Sequence, residues 1–359
     1  MKFLAFCFLI AVLFFAGVIG CDSANEEVFE ELSLDVEEVE KIIDDSIEES
    51  MDEEEEIFIE IEETLIKVES NPEKGFYWDY YLFVPEMIIS EKEELYLLVG
   101  PNNTSTGSDS MSVHDESAYQ EATNSQDSFQ NMVSRGLEVP LLVPVFPRPY
   151  SEWWVYVHIL DRNTMLMERE NLKRIDLQLI AMIEDAKIIL TEEMEINMKD
   201  KIFINGFSAS GGFSHRFTAL HPHLVKAVAS GAFSMPFFPI EELDGRELRY
   251  PIGISDFNEI INKAFNYEEY LQVHQYIYRG TEDDNDSLKN RDEFDGEDRP
   301  LILELFGEHP LERYKKAELI YIEAGLENVE FYFYKGKGHV LDRRILNDVI
   351  AFFEKVGDM

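Results

Sequence analysis

Beyond about residue 67 the chain alternates two hydrophobic patterns. Short apolar or alternating runs end in Pro, Gly or Asn: "GFYWDYYLFVP", "ELYLLVGPN", "VPLLVPVFP", "KIFIN", "VKAVASGAF", "VHQYIYRG" and "VEFYFYKG". These have the length and punctuation of strands. Between them lie stretches with apolar residues three and four apart, the period of an amphipathic helix. They are "NLKRIDLQLIAMIEDAKIIL", the segment through "FSHRFTALHP", "PLERYKKAELIYIEAGL" and "RRILNDVIAFFEKV". Gly325 follows "AELIYIEA" as a helix C-cap. Strand and helix in alternation predict an α/β fold, a mostly parallel central sheet flanked by helices on both faces.

The pattern differs before residue 67. "MKFLAFCFLIAVLFFAGVIGC" is one early Lys, an apolar stretch and small residues ahead of Cys21. It reads as a bacterial lipoprotein signal peptide over 1–20, with Val18 and Gly20 preceding a lipidated Cys21. A plain apolar anchor or a cleaved secretory signal is the simpler reading. Residues 21–66 form an acidic tether. Within it "EEVFEELSLDVEEVEKIIDDSIEESMDEEEEIFIEIEE" holds twenty Asp and Glu against one Lys. Like charges at that density keep a chain extended. Val36, Val39, Ile42, Ile43 and Ile47 carry a marginal helical spacing, and "IFIEIEE" alternates as a first edge strand would. The globular domain is then 67–359.

Composition sharpens this division. The 359 residues are 45% hydrophobic, ample for a large core. The 73 acids against 31 bases leave a formal charge of −42, which repels phosphate backbones and excludes nucleic acid as a partner. There are two cysteines, Cys7 in the apolar stretch and Cys21 at the junction. A processed chain would keep one, so no intrachain disulfide is expected even outside the cytoplasm.

The candidate chemistry lies at three strand ends. In α/β sheets the working groups stand past the carboxyl ends of the strands. "KIFIN" runs into "GFSASGG", "VHQYIYRG" into "TEDDND", and "VEFYFYKG" into "KGHV". A serine, an acid and a histidine thus follow one another, the chain order of the triad on this type of sheet. The first end reads Gly206-Phe207-Ser208-Ala209-Ser210. A nucleophile on a sharp strand-to-helix turn needs small residues two places to either side. Ser208 and Ser210 both satisfy this. Ser208 is preferred because "KIFIN" leads straight into its glycine, with Ser210 as the alternative nucleophile. His339 is the candidate base, placed after glycines that let the chain turn back. His309 precedes a helix, and His221 and His223 flank a proline as surface or cap residues. His158 is a core histidine or a pocket residue. The D-x-N-x-S run from Asp283 to Ser287 lacks the turn glycine and distal Glu of a calcium loop.

The chain resembles the α/β-hydrolases of the serine esterase kind, close to the polyhydroxyalkanoate-depolymerase-like and secreted esterase branch. The residues that carry this are "NGFSASGGFSHRFTALHPHLVKAVASGA", "QYIYRGTEDDND", "AGLENVEFYFYKGKGH", "LLVGPNNTSTGSD" and "VPVFPRPYSEWW". The resemblance implies an α/β-hydrolase fold and supports Ser208 as nucleophile. It implies Asp283, three residues past the strand-ending glycine, as the acid, with Asp284 and Asp286 as alternatives. It implies an oxyanion hole from the Ala209 amide and a second donor in "PNNT", Asn103 or Thr104. That loop departs from the family's glycine-rich form, as Ser210 departs from the usual last glycine of the elbow. Trp153 and Trp154 are pocket or core residues.

These readings predict a serine hydrolase cleaving carboxylic esters through an acyl-enzyme. It needs no metal or cofactor, and it acts on a small-molecule or polymeric ester. It would be held outside the cytoplasm, on a bacterial membrane, by lipid such as palmitate at Cys21. A serine peptidase with the same triad, or a non-catalytic envelope lipoprotein on a hydrolase scaffold, are the competing expectations.

Overall fold

The computed structural model describes residues 57–290 and 293–358. Cys21, the signal peptide and most of the acidic tether lie outside the described residues. The compact unit begins at Phe58, ahead of the residue 67 read from composition. The "IFIEIEE" alternation forms strand β1 (Phe58–Ile61), paired antiparallel with β4 (Met87–Ser90).

The central sheet has eight strands in the order β12-β11-β8-β7-β5-β6-β3-β2. These are β2 (Thr64–Val68), β3 (Tyr80–Val84), β5 (Glu94–Val99), β6 (Leu141–Pro144), β7 (Asn197–Phe207), β8 (Val225–Gly231), β11 (His274–Gly280) and β12 (Val329–Tyr334). β2, β3 and β6 pair antiparallel in succession, and the six strands from β6 to β12 are parallel. β9 (Glu242–Leu243) and β10 (Arg246–Glu247) form a separate small hairpin.

Strand alternation sorts side chains onto two faces. From β7, Ile202 and Ile204 enter one apolar cluster and Phe203 the other; from β11, Ile277 enters the first, Tyr276 and Tyr278 the second. The first face is covered by α4 (Ile175–Glu192), α5 (Ala209–Leu220) and α10 (Pro310–Glu323). The second is covered by α1 (Met111–Thr123), α2 (Phe129–Leu137) and α11 (Arg343–Gly357). In α11 the buried positions Ile345, Val349, Phe352, Phe353 and Val356 make one stripe. Each contributes about 1.5–3 kcal/mol by leaving water. The polar stretch forming α1 shows no such stripe. That helix buries only His114, Ala118 and Ala122, so small residues rather than a periodic pattern seat it. Gly325 does close α10, at φ +75°, with Leu326 N–H returning to Tyr321 O at 3.0 Å.

β5 and β7 are neighbours, and the crossover after β5 runs to β6 on one side while that after β7 runs to β8 on the other, so the two leave in opposite directions. This is the switch point at which open α/β sheets keep a crevice. Because the strands are parallel, the loops after β5, β7, β11 and β12 emerge along one edge.

Candidate active site

Ser208 stands between β7 and α5 with φ 59° and ψ −124°. A left-handed backbone costs a residue with a Cβ about 1–3 kcal/mol and persists only where the surroundings enforce it. Here they do. Ser208 N–H donates to Gly231 O on β8 at 2.8 Å. A Cβ on Gly206 would lie 2.1 Å from the Ser210 carbonyl oxygen, and one on Gly211 would lie 2.5 Å from Gly231 O. Strand and helix therefore close only through glycine at those positions.

The structure distinguishes the two serines. Ser208 is partly exposed at the turn. Ser210 is 3% exposed, and its hydroxyl donates to Phe207 O at 2.9 Å while accepting the Phe207 amide at 3.1 Å. Serine thus serves in the elbow's last slot as a turn brace, with its oxygen held inward.

Asp283 and His339 meet across the loops after β11 and β12. His339 Nδ1 donates to Asp283 Oδ2 at 3.0 Å. This fixes the tautomer with the lone pair on Nε2, which accepts from Asn285 Nδ2 at 3.2 Å. The Phe207 ring, next to Ser208, lies 4.8 Å from the imidazole. The two alternative acids stand elsewhere. Asp284 is exposed, and Asp286 makes a buried bidentate pair with Arg313 at 2.8 and 3.0 Å. Asp283 in turn faces Arg279, whose Nη2 is 3.1 Å from Oδ1. Two arginines thus hold the carboxylates of the D-x-N-x-S run.

The loop after β5 is held by two histidines. His158 is buried, and burial pushes its imidazole down to about 3. In the neutral ring Nε2–H donates to Phe146 O at 2.8 Å and Nδ1 accepts the Thr104 amide at 3.3 Å. His114, also shifted down by burial, accepts the Thr104 hydroxyl on Nδ1 at 3.0 Å. Thr104 is therefore committed to the loop's own support, and its amide points to His158. Asn103 is the half-buried neighbour that approaches the elbow, with Nδ2 donating to Phe207 O at 3.4 Å. Ala209, the first residue of α5, supplies a helix N-terminal amide beside Ser208. His158 is thus a buried core histidine, and its hydrogen bonds hold the loop after β5.

Trp153 and Trp154 are 57% and 46% exposed, so neither is a core residue. His221 is the C-cap of α5 and is buried there, bonding Asp176 Oδ2 at 2.8 Å, while His223 is exposed. His309 caps α10, its amide bonded to Glu312 Oε2 at 3.3 Å. Sequence reasoning missed Arg279 and Asn285. Arg279 had a visible signal, a charge inside the apolar run "YIYRG"; Asn285 had none.

The strand order, the crossovers and the elbow together define an α/β-hydrolase fold. Among solved structures, the chain is similar to poly(aspartic acid) hydrolase-1 from Sphingomonas sp. KT-1, with a TM-score of 0.51 at 14% identity over 82% of this chain and 98% of that one. It is also similar to LpqC, a poly(3-hydroxybutyrate) depolymerase from Bordetella parapertussis, with a TM-score of 0.50 at 15% identity over 83% and 90% of the two chains. No protein-family profile and no curated protein sequence matches the chain. Identities this low establish the fold and leave the chemistry to the site itself.

Proposed function

We propose that this chain is a serine hydrolase that cleaves carboxylic esters through an acyl-enzyme. The observation that carries the reading is the Asp283–His339 hydrogen bond on the sheet edge that also bears the strained Ser208 turn. Ser208 Oγ attacks the ester carbonyl while its proton passes to His339 Nε2. Asn285 must yield Nε2 to Ser208 for that transfer. The tetrahedral oxyanion is held by the amides of Ala209 and Asn103. His339 returns the proton to the departing alcohol, and water then releases the acid by the same steps. Asp283 orients the imidazole and offsets its charge during turnover. The two structurally similar proteins named above are a polyester depolymerase and a polyamide hydrolase, which supports a hydrolase acting on carboxyl derivatives and makes an extended ester a natural candidate substrate.

The test is mass spectrometry of the protein treated with a fluorophosphonate, beside turnover of aryl esters and of a peptide. An adduct on Ser208 with ester turnover is expected. Turnover of the peptide alone would make the chain a peptidase, and absence of both labelling and turnover would overturn the hydrolase reading. The "VIGC" junction supports a lipid tether at Cys21, outside the cytoplasm. Labelled palmitate should enter the wild type in a bacterial host and not Cys21→Ser; no incorporation in the wild type would reject the tether.

A further inference from the structure

We propose that Arg279 is a positioning residue for the Asp283–His339 pair, bracing the acid loop and balancing the carboxylate so that the imidazole stays able to accept a proton in more acidic solution. This rests on the ester-hydrolase reading above.

The geometry is specific. Arg279 is fully buried at the end of β11. Its Nη2 faces Asp283 Oδ1 at 3.1 Å, while the other carboxylate oxygen, Oδ2, receives His339 at 3.0 Å. One carboxylate is thus shared between a guanidinium and an imidazole. The same guanidinium holds the loop's backbone: Nη2 donates to Asp283 O at 3.0 Å and Asn285 O at 2.7 Å, and Nη1 donates to Phe233 O at 2.7 Å. The Tyr314 ring of α10 packs 5.5 Å from it. A planar fork with several donors can serve this many acceptors at once.

The neighbouring charges leave Arg279 the cation that acts on Asp283. Glu282 and Asp284, on the same loop, are exposed. Lys337, after β12, pairs with Asp342; Arg313 of α10 pairs with Asp286; Glu293 pairs with Arg216 of α5. Tyr278 of β11 stacks on Phe207. A carboxylate that already faces a guanidinium draws a proton onto its histidine less strongly. That matters in this molecule, because a net charge of −42 creates a field that favours protonation everywhere. Arg279 opposes that field at the one imidazole whose neutrality catalysis requires.

The experiment is the pH profile of kcat/KM on a soluble aryl ester for wild type, Arg279→Lys, Arg279→Gln and Arg279→Met, with far-UV circular dichroism as the check of folding. The neutral variants should move the acid limb upward by about one pH unit, about a tenfold loss at the acidic end relative to their own alkaline plateau. Arg279→Lys should keep the limb where the wild type has it while lowering the plateau, since an ammonium restores the charge and not the fork. The reading is taken from whichever neutral variant is folded. An unmoved limb in that variant, or a limb in Arg279→Lys displaced as far as in a neutral protein, reduces Arg279 to a structural brace and overturns the proposal. Loss of ester turnover in the wild type would instead strike the function on which it rests.

Discussion

The elbow and the acid loop stand on the same sheet edge but are built by different forces. At the elbow, position is enforced by contact between backbones: Gly206 and Gly211 let strand and helix close, and Ser208 takes the strained turn. No charge is involved, and the nearby histidines His158 and His215 are buried and shifted down to about 3. At the acid loop, position is enforced by charge. Arg279 and Arg313, both fully buried, each hold one aspartate. The first device works mostly through residues a few places apart, with Gly231 of β8 the exception; the second joins Asp283 to His339, 56 residues on, and Asp286 to Arg313, 27 on, although Arg279 is only four residues from Asp283.

The largest expected effect separates the two serines. Ser208→Ala should lower kcat by about 10⁶, as loss of the nucleophile does in an unrelated serine protease. Ser210→Ala removes a turn hydrogen bond of roughly 1 kcal/mol and should cost at most about tenfold. Steady-state kinetics on one ester decides it, and an inactive Ser210→Ala beside an active Ser208→Ala would reverse the elbow.

Next come the aspartates. Asp283→Asn should lower kcat by about 10⁴ through the wrong imidazole tautomer, while Asp284→Asn, on an exposed side chain, should leave turnover within about twofold. Asp286→Asn should leave the folded enzyme active but destabilise it by about 3–5 kcal/mol, because Arg313 loses its buried partner. Equal losses of turnover in all three would show that the loop acts as a whole and that no one aspartate is the acid.

A smaller effect concerns acid. His158 and His215 bind protons when unfolded, near the usual 6.5, but not when folded until about 3. Between those values the unfolded state holds more protons, so stability falls as pH falls. Asp161 works in the opposite direction. Burial raises its carboxyl to about 7, so from about 4 to 7 the folded state holds the extra proton and stability rises as pH falls. Each group contributes up to about 1.4 kcal/mol per pH unit. Urea midpoints should therefore decline from pH 6.5 to 4.5, and Asp161→Asn should steepen the decline by about one group's worth. A slope unchanged by that substitution would mean that Asp161 is ionised in the fold.

The smallest effect is at Asn285. Asn285→Ala releases His339 Nε2 and should change kcat/KM by no more than a few-fold, upward if the contact must break for proton transfer. A loss of a hundredfold would instead make Asn285 part of the working site.

What could be read along the chain follows this division. The strands, the covering helices α4, α5, α10 and α11, and the order of serine, acid and histidine were legible because each is a pattern of neighbouring residues. The small residues around Ser208 were legible for the same reason, since steric relief at a turn involves residues within a few places. α1 was hidden because it is seated by Ala118 and Ala122 and not by an apolar stripe. The exposure of Trp153 and Trp154 was hidden because apolar type does not determine the side of a loop on which a ring stands.

The sequence by itself determined a parallel sheet with helices on both faces, because periods of two and near 3.6 are properties of the backbone that side-chain order records directly. It also determined that an elbow could form at 206–211. Only the tertiary structure decided which aspartate meets His339, because Asp283, Asp284 and Asp286 are equivalent in composition and differ in what folding sets against them: His339, solvent and Arg313. Only the tertiary structure turned the Thr104 amide away to His158, 54 residues on, and left Asn103 beside the elbow. Hydrogen bonds and ion pairs between distant segments have no period, so their choice appears only once the sheet has placed the loops side by side.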